Sequence, residues 1–599
     1  MRQNQLSVHS ENILPIIKKW LYSERDIFLR ELVSNATDAL TKVRLLEPEK
    51  GSFVIELLLD KEAKTLSIID SGIGMTEEEV EKYIAQIAFS GAEEFAAKYQ
   101  KGAEPIIGHF GLGFYSSYMV AKKVEIDTLS YLPGSTPVFW SCDGGASYTI
   151  GAGTRKERGT RITLHLNEES LDYLEEHKLR SLLDRYCKFM PFPISFQGKS
   201  IENREPLWLK SPAECTEKEY LECYRSLFPL EPDPLFWVHL NIDYPFHLKG
   251  ILFFPKEKRR FDGEEGAIKL FCNKVFVSDN CKEILPDYLM VLRGAIDSSD
   301  LPLNVSRSYL QVDQSVKQLS THIVKKVTDR LVQLLKTERE SYIGNWPEIE
   351  LFVKLGILQD PKFYERAKEL LLWKSSDEIW TTVEDYLERA KEKKVFYSSR
   401  EEKTPLFQVY KEKKLEILFA ASGIDIALIQ FLESKLSVPF QRIDGVCHEG
   451  LLDATREKTL LDESGRTQAA KIADFIRASL DQKELEIEAK SLASDTLPAI
   501  LVVSEQERRL RDYLALTQGK EAQKNVQPKR SFIVNTNHTL VQAIERLSTK
   551  DPDLAGSLAK SLYHLSSMSQ RETQGVEDFE EGIAQQTAIL EKLVSRLCS

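Results

Sequence analysis

The 599-residue chain has no C-x-x-C pair, and its eight cysteines (Cys142, Cys187, Cys215, Cys223, Cys272, Cys281, Cys447 and Cys598) are scattered. Zinc sites and disulfide frameworks need close, patterned spacing, so these read as reduced thiols. The sequence also has no apolar run of ~18 residues, the length a membrane-spanning helix requires. Its opening, MRQNQLSVHSENILPIIKKW, lacks the uninterrupted apolar core of a signal peptide, and its closing LVSRLCS carries no retention or prenylation signal. The cytoplasm is the expected compartment. Basic excess is missing as well: the net charge is −12 and the isoelectric point about 5.6. That balance disfavours a long phosphate-tracking surface, because nucleic-acid binding relies on clustered Lys and Arg. Internal repeats and low-complexity tracts are absent.

What the chain does have is apolar material for several cores. Hydrophobic residues make up 42% and charged residues 29%, and at ~100 to 200 residues per domain three or more domains are expected. A helical pattern from Glu24 to Arg44 breaks at Pro48 and Gly51. Two strand-like runs, FVIELLLD (53 to 60) and TLSIID (65 to 70), come next, joined by a polar KEAK, as in a hairpin. A glycine-marked segment leads to the apolar FYSSYMVA and to further strands ending in RGTRITLHL (158 to 166). The mixture predicts an α+β sandwich of sheet and helices.

The periodicity resets around residues 192 to 210, placing a boundary near 205. To about 465, strands such as HLKGILFFP and IKLFCNKVFV alternate with long helices such as QSVKQLSTHIVKKVTDRLVQLLKTE, as in a second α/β domain. The last block, 466 to 599, holds KIADFIRASL, a strand-like LPAILVV, a polar stretch at 517 to 530, and closing helices. There Leu554, Leu558, Leu562 and Leu565 form one apolar seam, and Ile583, Leu590, Leu593 and Leu597 another. Such seams serve more often as intramolecular core than as a dimer interface.

Three short motifs carry chemistry. In RELVSNATDALTK, Glu31, Asn35, Asp38 and Lys42 recur at four, three and four residues, which puts them on one helical face. An amphipathic helix with a wet side explains this stripe. So does a site in which Asn35 offers Mg²⁺ a neutral oxygen and Glu31 deprotonates a water one turn away. In IIDSGIGM, a strand ends at Asp70 and is followed by Gly72 and Gly74, which let the backbone turn and approach a ligand. A carboxylate there accepts from an exocyclic amine, which adenine has and guanine presents as an oxygen; an ordinary turn has the same composition. In GHFGLGFYSSYMV, Gly108, Gly111 and Gly113 precede an apolar helix-like run. A glycine-rich entry of that kind exposes N–H groups to phosphate, although the Gly-Lys-Ser/Thr ending of a P-loop is missing.

The order of these motifs, with RGT at 158 to 160, resembles the nucleotide-binding fold shared by gyrases, mismatch-repair ATPases, sensor histidine kinases and the ninety-kilodalton heat-shock chaperones. The chaperones are most similar. YSERDIFLRELVSNATDAL, DSGIGMT and IGHFGLGFYSSYMVA look like their first-domain signatures, LRGAIDSSDLPLNVSRSYLQ like their middle-domain signature, and IVNTNHTLVQAI like part of their dimerisation domain. The resemblance covers almost the whole chain. It implies an ATP-hydrolysing homodimeric clamp that acts on unfolded or partly folded client proteins, possessing an N-terminal ATP-binding domain (1–205), a middle domain (206–465) and a mostly helical C-terminal dimerisation domain (466–599).

Carried onto this sequence, the resemblance implies that Glu31 activates water, Asn35 ligates Mg²⁺ and Asp70 binds adenine. Asp38, Gly72, Gly74, Met75, Phe114 and Thr160 would line the pocket, and Gly108, Gly111 and Gly113 would form the phosphate loop. Arg307 would reach the γ-phosphate, with Gln311 nearby, and 85 to 113 would be a lid hinged at Gly91, Gly102 and Gly108. Lys42 is left to solvent. Phe89 replaces the lid's usual lysine, and Ser308 the usual glutamate after Arg307. With no charged linker between the first two domains and no Met-Glu-Glu-Val-Asp tail, the bacterial type of the family is implied. A DNA-processing ATPase with the same pocket and a nucleotide-gated scaffold with little turnover are the alternatives. A sensor kinase is disfavoured, because no histidine sits in a helical hairpin ahead of the pocket.

Overall fold

The structure is a computed structural model. It describes residues 24–47, 53–86, 111–145, 147–201, 204–244, 247–256, 268–279, 285–300, 314–401, 404–445, 449–453, 456, 467–480, 482, 485–503 and 529–568, with parts of 583–594. It divides into two compact units, Met1–Leu334 with Asn345–Ile349, and Leu335–Gly344 with Glu350–Ser599.

In the first unit, α1 (Ile27–Leu46) is followed by the hairpin β1 (Ile55–Asp60) and β2 (Thr65–Asp70), then α2 (Glu77–Tyr83). The hairpin is the one read from the sequence, and its register pairs Ile55 with Asp70. Strands β3 (Ala121–Leu129), β4 (Val138–Cys142), β5 (Tyr148–Ala152), β6 (Gly159–Leu166), β7 (Ile194–Phe196) and β8 (Lys199–Ser200) complete an eight-stranded sheet in the order β5-β4-β3-β6-β2-β1-β7-β8. Pairing is antiparallel except between β1 and β7. Helix α3 (Glu176–Cys187) packs beside α1.

Helix α1 is buried on both its apolar and its polar sides. Phe28, Leu29, Leu32, Val33 and Leu40 have no exposed surface, and Arg30, Ser34 and Thr37 are each 1% exposed. An amphipathic helix with a wet side would leave the polar stripe in water; here Glu31 and Asp38 are buried and Asn35 and Lys42 half-buried, which is costly unless each group has a partner or a task. The segment after Gly111 departs from expectation. Gly113–Met119 forms a 3₁₀ helix, not an α-helix, and its aromatic residues Phe114, Tyr115 and Tyr118 go into the core, Phe114 edge-on to Trp140.

After α4 (Glu217–Leu227), a second sheet in the same unit contains β9 (Phe236–Ile242), β10 (Leu248–Phe254), β11 (Ile268–Cys272), β12 (Val275–Ser278) and β13 (Arg293–Asp297), in the order β12-β11-β13-β10-β9. The run IKLFCNKVFV, read as one strand, is two. Asn273 and Lys274 both take positive φ (51° and 68°), the geometry of a tight hairpin turn, and asparagine tolerates it well.

The second unit contains a parallel sheet of Ile417–Phe419, Val395–Ser398 and Phe440–Arg442, and a mixed sheet of Leu485–Lys490, Arg530–Asn535 and Ala499–Val503. Helices Gln468–Leu480, Thr539–Lys550 and Pro552–Met568 cover the latter. Asn535, in the IVNTNHT signature, is fully buried. Its amide nitrogen donates to the carbonyls of Ser494 (2.7 Å) and Leu497 (2.8 Å), and its oxygen accepts from the N–H groups of Leu492 and Asn537, each at 3.1 Å. That signature is a structural clasp. The closing seams are divided: Leu554 and Leu562 are core, whereas Leu565, Ile583 and Leu590 are exposed.

Candidate functional site

The α1 helix, the turn after β2 and the 3₁₀ segment converge. Asp70 ends β2, pairs in register with Thr160 of β6, and is 6% exposed. Its Oδ1 accepts the Gly72 N–H at 2.8 Å. Burial pushes the Asp70 carboxyl up to about 6, against the opposing pull of the Gly72 N–H, the Arg155 charge and the Thr160 N–H. The group therefore stays mostly ionised at pH 7, buried and poised to accept from a donor. Arg155, in the connection between β5 and β6, donates from Nη2 to the Asp70 carbonyl (3.4 Å) and the Arg158 carbonyl (3.3 Å).

Gly74 shows why the turn needs glycine. Its φ is +64°, and a Cβ there would stand 1.9 Å from the Leu129 carbonyl oxygen. The turn is pinned on both sides: Ile73 N–H donates to the Ala39 carbonyl of α1 (3.1 Å), and Met75 N–H donates to the Thr128 hydroxyl (3.0 Å). The Thr128 and Thr160 hydroxyls lie 3.0 Å apart. Met75 itself packs half-buried on the core.

Two turns back along α1, Glu31 is 7% exposed and has an asymmetric environment. Its Oε1 accepts from Arg30 Nε at 3.0 Å and Nη2 at 2.9 Å. Arg30 is itself tied to the second sheet, donating from Nη1 towards the carbonyls of Val277 (3.4 Å) and Phe276 (3.5 Å). The other oxygen, Oε2, makes no hydrogen bond among the described residues and faces Gly113, where an added Cβ would stand 2.5 Å away. One oxygen is held and the other is open: this is the arrangement of a carboxylate that orients and deprotonates a water. The Asn35 amide, on the next turn of the same face, is half-buried and makes no hydrogen bond among the described residues, so its oxygen is available to a cation.

Asp38 is 7% exposed and borders a cavity shared with the second sheet, not with the Asp70 turn. Lys42 is the correction. It does not return to solvent: it is half-buried, and loss of hydration pushes its ammonium below the usual lysine range while Asp38 and Glu79 pull the other way. Gly111 and Gly113 enter the 3₁₀ segment. Gly108, Phe89, Gly91, Gly102, Arg307 and Gln311 lie outside the described residues. The sequence reading missed Arg30, Thr128 and Arg155, which hold Glu31, Met75 and Asp70 respectively. Among the described residues no group of three or more His, Cys, Asp or Glu could hold a metal, and no helix is long and apolar enough to cross a membrane.

Comparison with known proteins gives this geometry a context. Residues 23–136 match the model of the "Histidine kinase-, DNA gyrase B-, and HSP90-like ATPase" family, and residues 196–589 match that of "Hsp90 protein". The chaperone protein htpG of Bacteroides fragilis (strain YCH46) is 37% identical over 603 residues, covering 95% of this chain and 88% of that protein. HtpG of Porphyromonas gingivalis (strain ATCC BAA-308 / W83) is 38% identical over 575 residues (91% and 84%), and HtpG of Geobacter sulfurreducens 32% identical over 597 (90% and 91%). With an open carboxylate on α1, a buried carboxylate at the β2 turn and matches spanning both regions, the chain belongs to the Hsp90 family.

Proposed function

We propose that the site is an ATPase centre in which Glu31 activates water, Asp70 recognises adenine and the chain couples hydrolysis to work on client proteins. The chain is an ATP-dependent chaperone: the ATPase match covers the residues that build the site, and the Hsp90 match covers most of the chain beyond it. A DNA-processing ATPase is not supported, because residues 196–589 match Hsp90.

The observation that carries the residue roles is the split environment of Glu31. Arg30 fixes Oε1, leaving Oε2 beside the glycine turn that the phosphates would approach. Glu31 and Ala39, the contact point of the Asp70 turn, are eight residues apart on α1, or ~12 Å along its axis. That separation suits a nucleotide lying along the helix, its adenine at Asp70 and its γ-phosphate at Glu31. A bound Mg²⁺ would neutralise phosphate charge, with Asn35 supplying one oxygen ligand. Asp38, Gly72, Gly74, Met75, Phe114 and Thr160 then shape the pocket, and Gly108, Gly111 and Gly113 cradle the phosphates. Arg307, with Gln311 nearby, supplies positive charge to the transition state from the middle domain, which makes hydrolysis conditional on closure.

The division into an ATP-binding domain (1–205), a middle domain (206–465) and a C-terminal dimerisation domain (466–599) belongs to the same reading, as does a cytoplasmic homodimer. Support for the dimer comes from apolar side chains left in water in the closing helices, Leu565, Ile583, Leu590 and Val594. A steady-state phosphate-release assay tests the roles. Glu31→Ala should bind ATP and not turn it over, and Arg307→Ala should hydrolyse slowly; normal turnover in both would refute the mechanism.

A further inference from the structure

Helix α1 and the second sheet of the first unit border a cavity of about 300 Å³, at the small end of the range for ligand sites. Thr37, Asp38 and Thr41 of α1 form one wall. The facing wall is Lys249 of β10, the Asn273-Lys274 turn and Asp297 of β13, and Pro191 and Leu209 supply apolar surface. Lys249 is the register partner of Asp297, so both side chains leave the sheet on the same face.

The acid of this wall is committed to the fold. Asp297 Oδ2 accepts the Lys274 N–H at 3.1 Å and the Trp208 indole N–H at 3.2 Å. The two ammonium groups are not: neither Lys249 nor Lys274 makes a side-chain hydrogen bond or salt bridge among the described residues. Thr41 adds an independent observation. It is 4% exposed and lines the cavity, yet its hydroxyl makes no hydrogen bond among the described residues. Thr37, one turn back, instead donates to the Val33 carbonyl at 2.9 Å. A hydroxyl without a hydrogen bond that opens on a cavity, with two ammonium groups on the facing wall, offers a polar contact to a ligand.

We propose that this cavity binds a small organic monocarboxylate, its head group held by Lys249 and Lys274, its polar edge by Thr41, and its apolar body by Pro191 and Leu209. Asp38 is already offset by Lys42 of its own helix, so Lys249 and Lys274 face one unmatched acid, Asp297; a single negative charge is then matched and a phosphate dianion is over-charged. The ligand touches α1 six to ten residues beyond Glu31 and the second sheet at once, so its occupancy alters ATP turnover. The site is independent of the ATPase reading, since binding is measured without nucleotide.

The test uses the full-length protein and 4-fluorobenzoate, followed by ¹⁹F NMR line broadening, with 4-fluorophenyl phosphate as the dianionic comparison. Saturable binding of the carboxylate is expected, at least fivefold tighter than the phosphate and undisturbed by saturating ADP. The double variant Lys249→Ala/Lys274→Ala, expected to keep basal ATP turnover, should weaken it at least tenfold. Leu209→Trp should do the same by filling the apolar end, and Thr41→Val should weaken it about threefold. No binding at millimolar probe, unchanged binding in both the lysine and tryptophan variants, or displacement by ADP overturns the proposal. Displacement would place the probe in the nucleotide pocket. A preference for the phosphate overturns the carboxylate assignment.

Discussion

Asp70→Asn should make the protein more stable and unable to bind ATP. Burial lifts the Asp70 carboxyl from its ordinary 3.8 to about 6. That gap of about 2 pH units, at about 1.4 kcal/mol each, makes the ionised carboxylate cost about 3 kcal/mol of folding free energy at pH 7. The folded-state value is raised, so the folded chain holds the proton more tightly than the unfolded one between pH 3.8 and 6. The favourable contribution is therefore fully present below 3.8 and is lost as pH rises through 6. Asparagine keeps an oxygen for the Gly72 N–H and removes the buried charge. Urea unfolding followed by tryptophan fluorescence should show Asp70→Asn up to about 3 kcal/mol more stable than the wild type at pH 7, and about half as much at pH 5. Calorimetry should show ATP affinity reduced at least a hundredfold, because the new amide presents a donor to the adenine amine. A destabilised variant, a gain that does not shrink with falling pH, or retained ATP binding would refute the reasoning.

Other outcomes rest on the same geometry. Arg30→Met leaves Glu31 buried without its ion-pair partner, so it should cost on the order of 3 kcal/mol in urea unfolding and slow phosphate release while ATP still binds. Gly113→Ala places a methyl group 2.5 Å from Glu31 Oε2; it should lower turnover at least tenfold with little change in ATP affinity, measured by phosphate release and calorimetry. Gly74→Ala forces alanine into positive φ against the Leu129 carbonyl and should cost about 2 kcal/mol or more in unfolding and weaken ATP binding.

The candidate site was legible where its parts are close in sequence and need special residue types. Glu31, Asn35 and Asp38 lie on consecutive turns of one helix, and Asp70, Gly72 and Gly74 on one strand-to-turn junction whose backbone only glycine accommodates. What stayed hidden is long-range. Arg155 reaches Asp70 across 85 residues, and Thr128 reaches Met75 across 53; each reads alone as an ordinary polar residue. Arg30 stands next to Glu31, yet its role depends on β12 carbonyls about 246 residues away. Lys42 looked like solvent because helical periodicity gives a face and not what covers that face. The turn inside IKLFCNKVFV was missed because Asn-Lys lacks the glycine that marks most such turns. Gly113–Met119 has an apolar pattern that fits either a 3₁₀ or an α-helix, and its buried aromatic residues are packed by the sheet.

The central claim is that one nucleotide spans α1 from Asp70 to Glu31. A crystal structure with a non-hydrolysable ATP analogue and Mg²⁺ tests it most directly. The account predicts the adenine amine within hydrogen-bond distance of the Asp70 carboxylate, the metal on Asn35, Glu31 Oε2 bonded to a water in line with the γ-phosphate, and Arg307 on that phosphate. An adenine bound away from Asp70, or a γ-phosphate that Glu31 does not approach even through water, would contradict it.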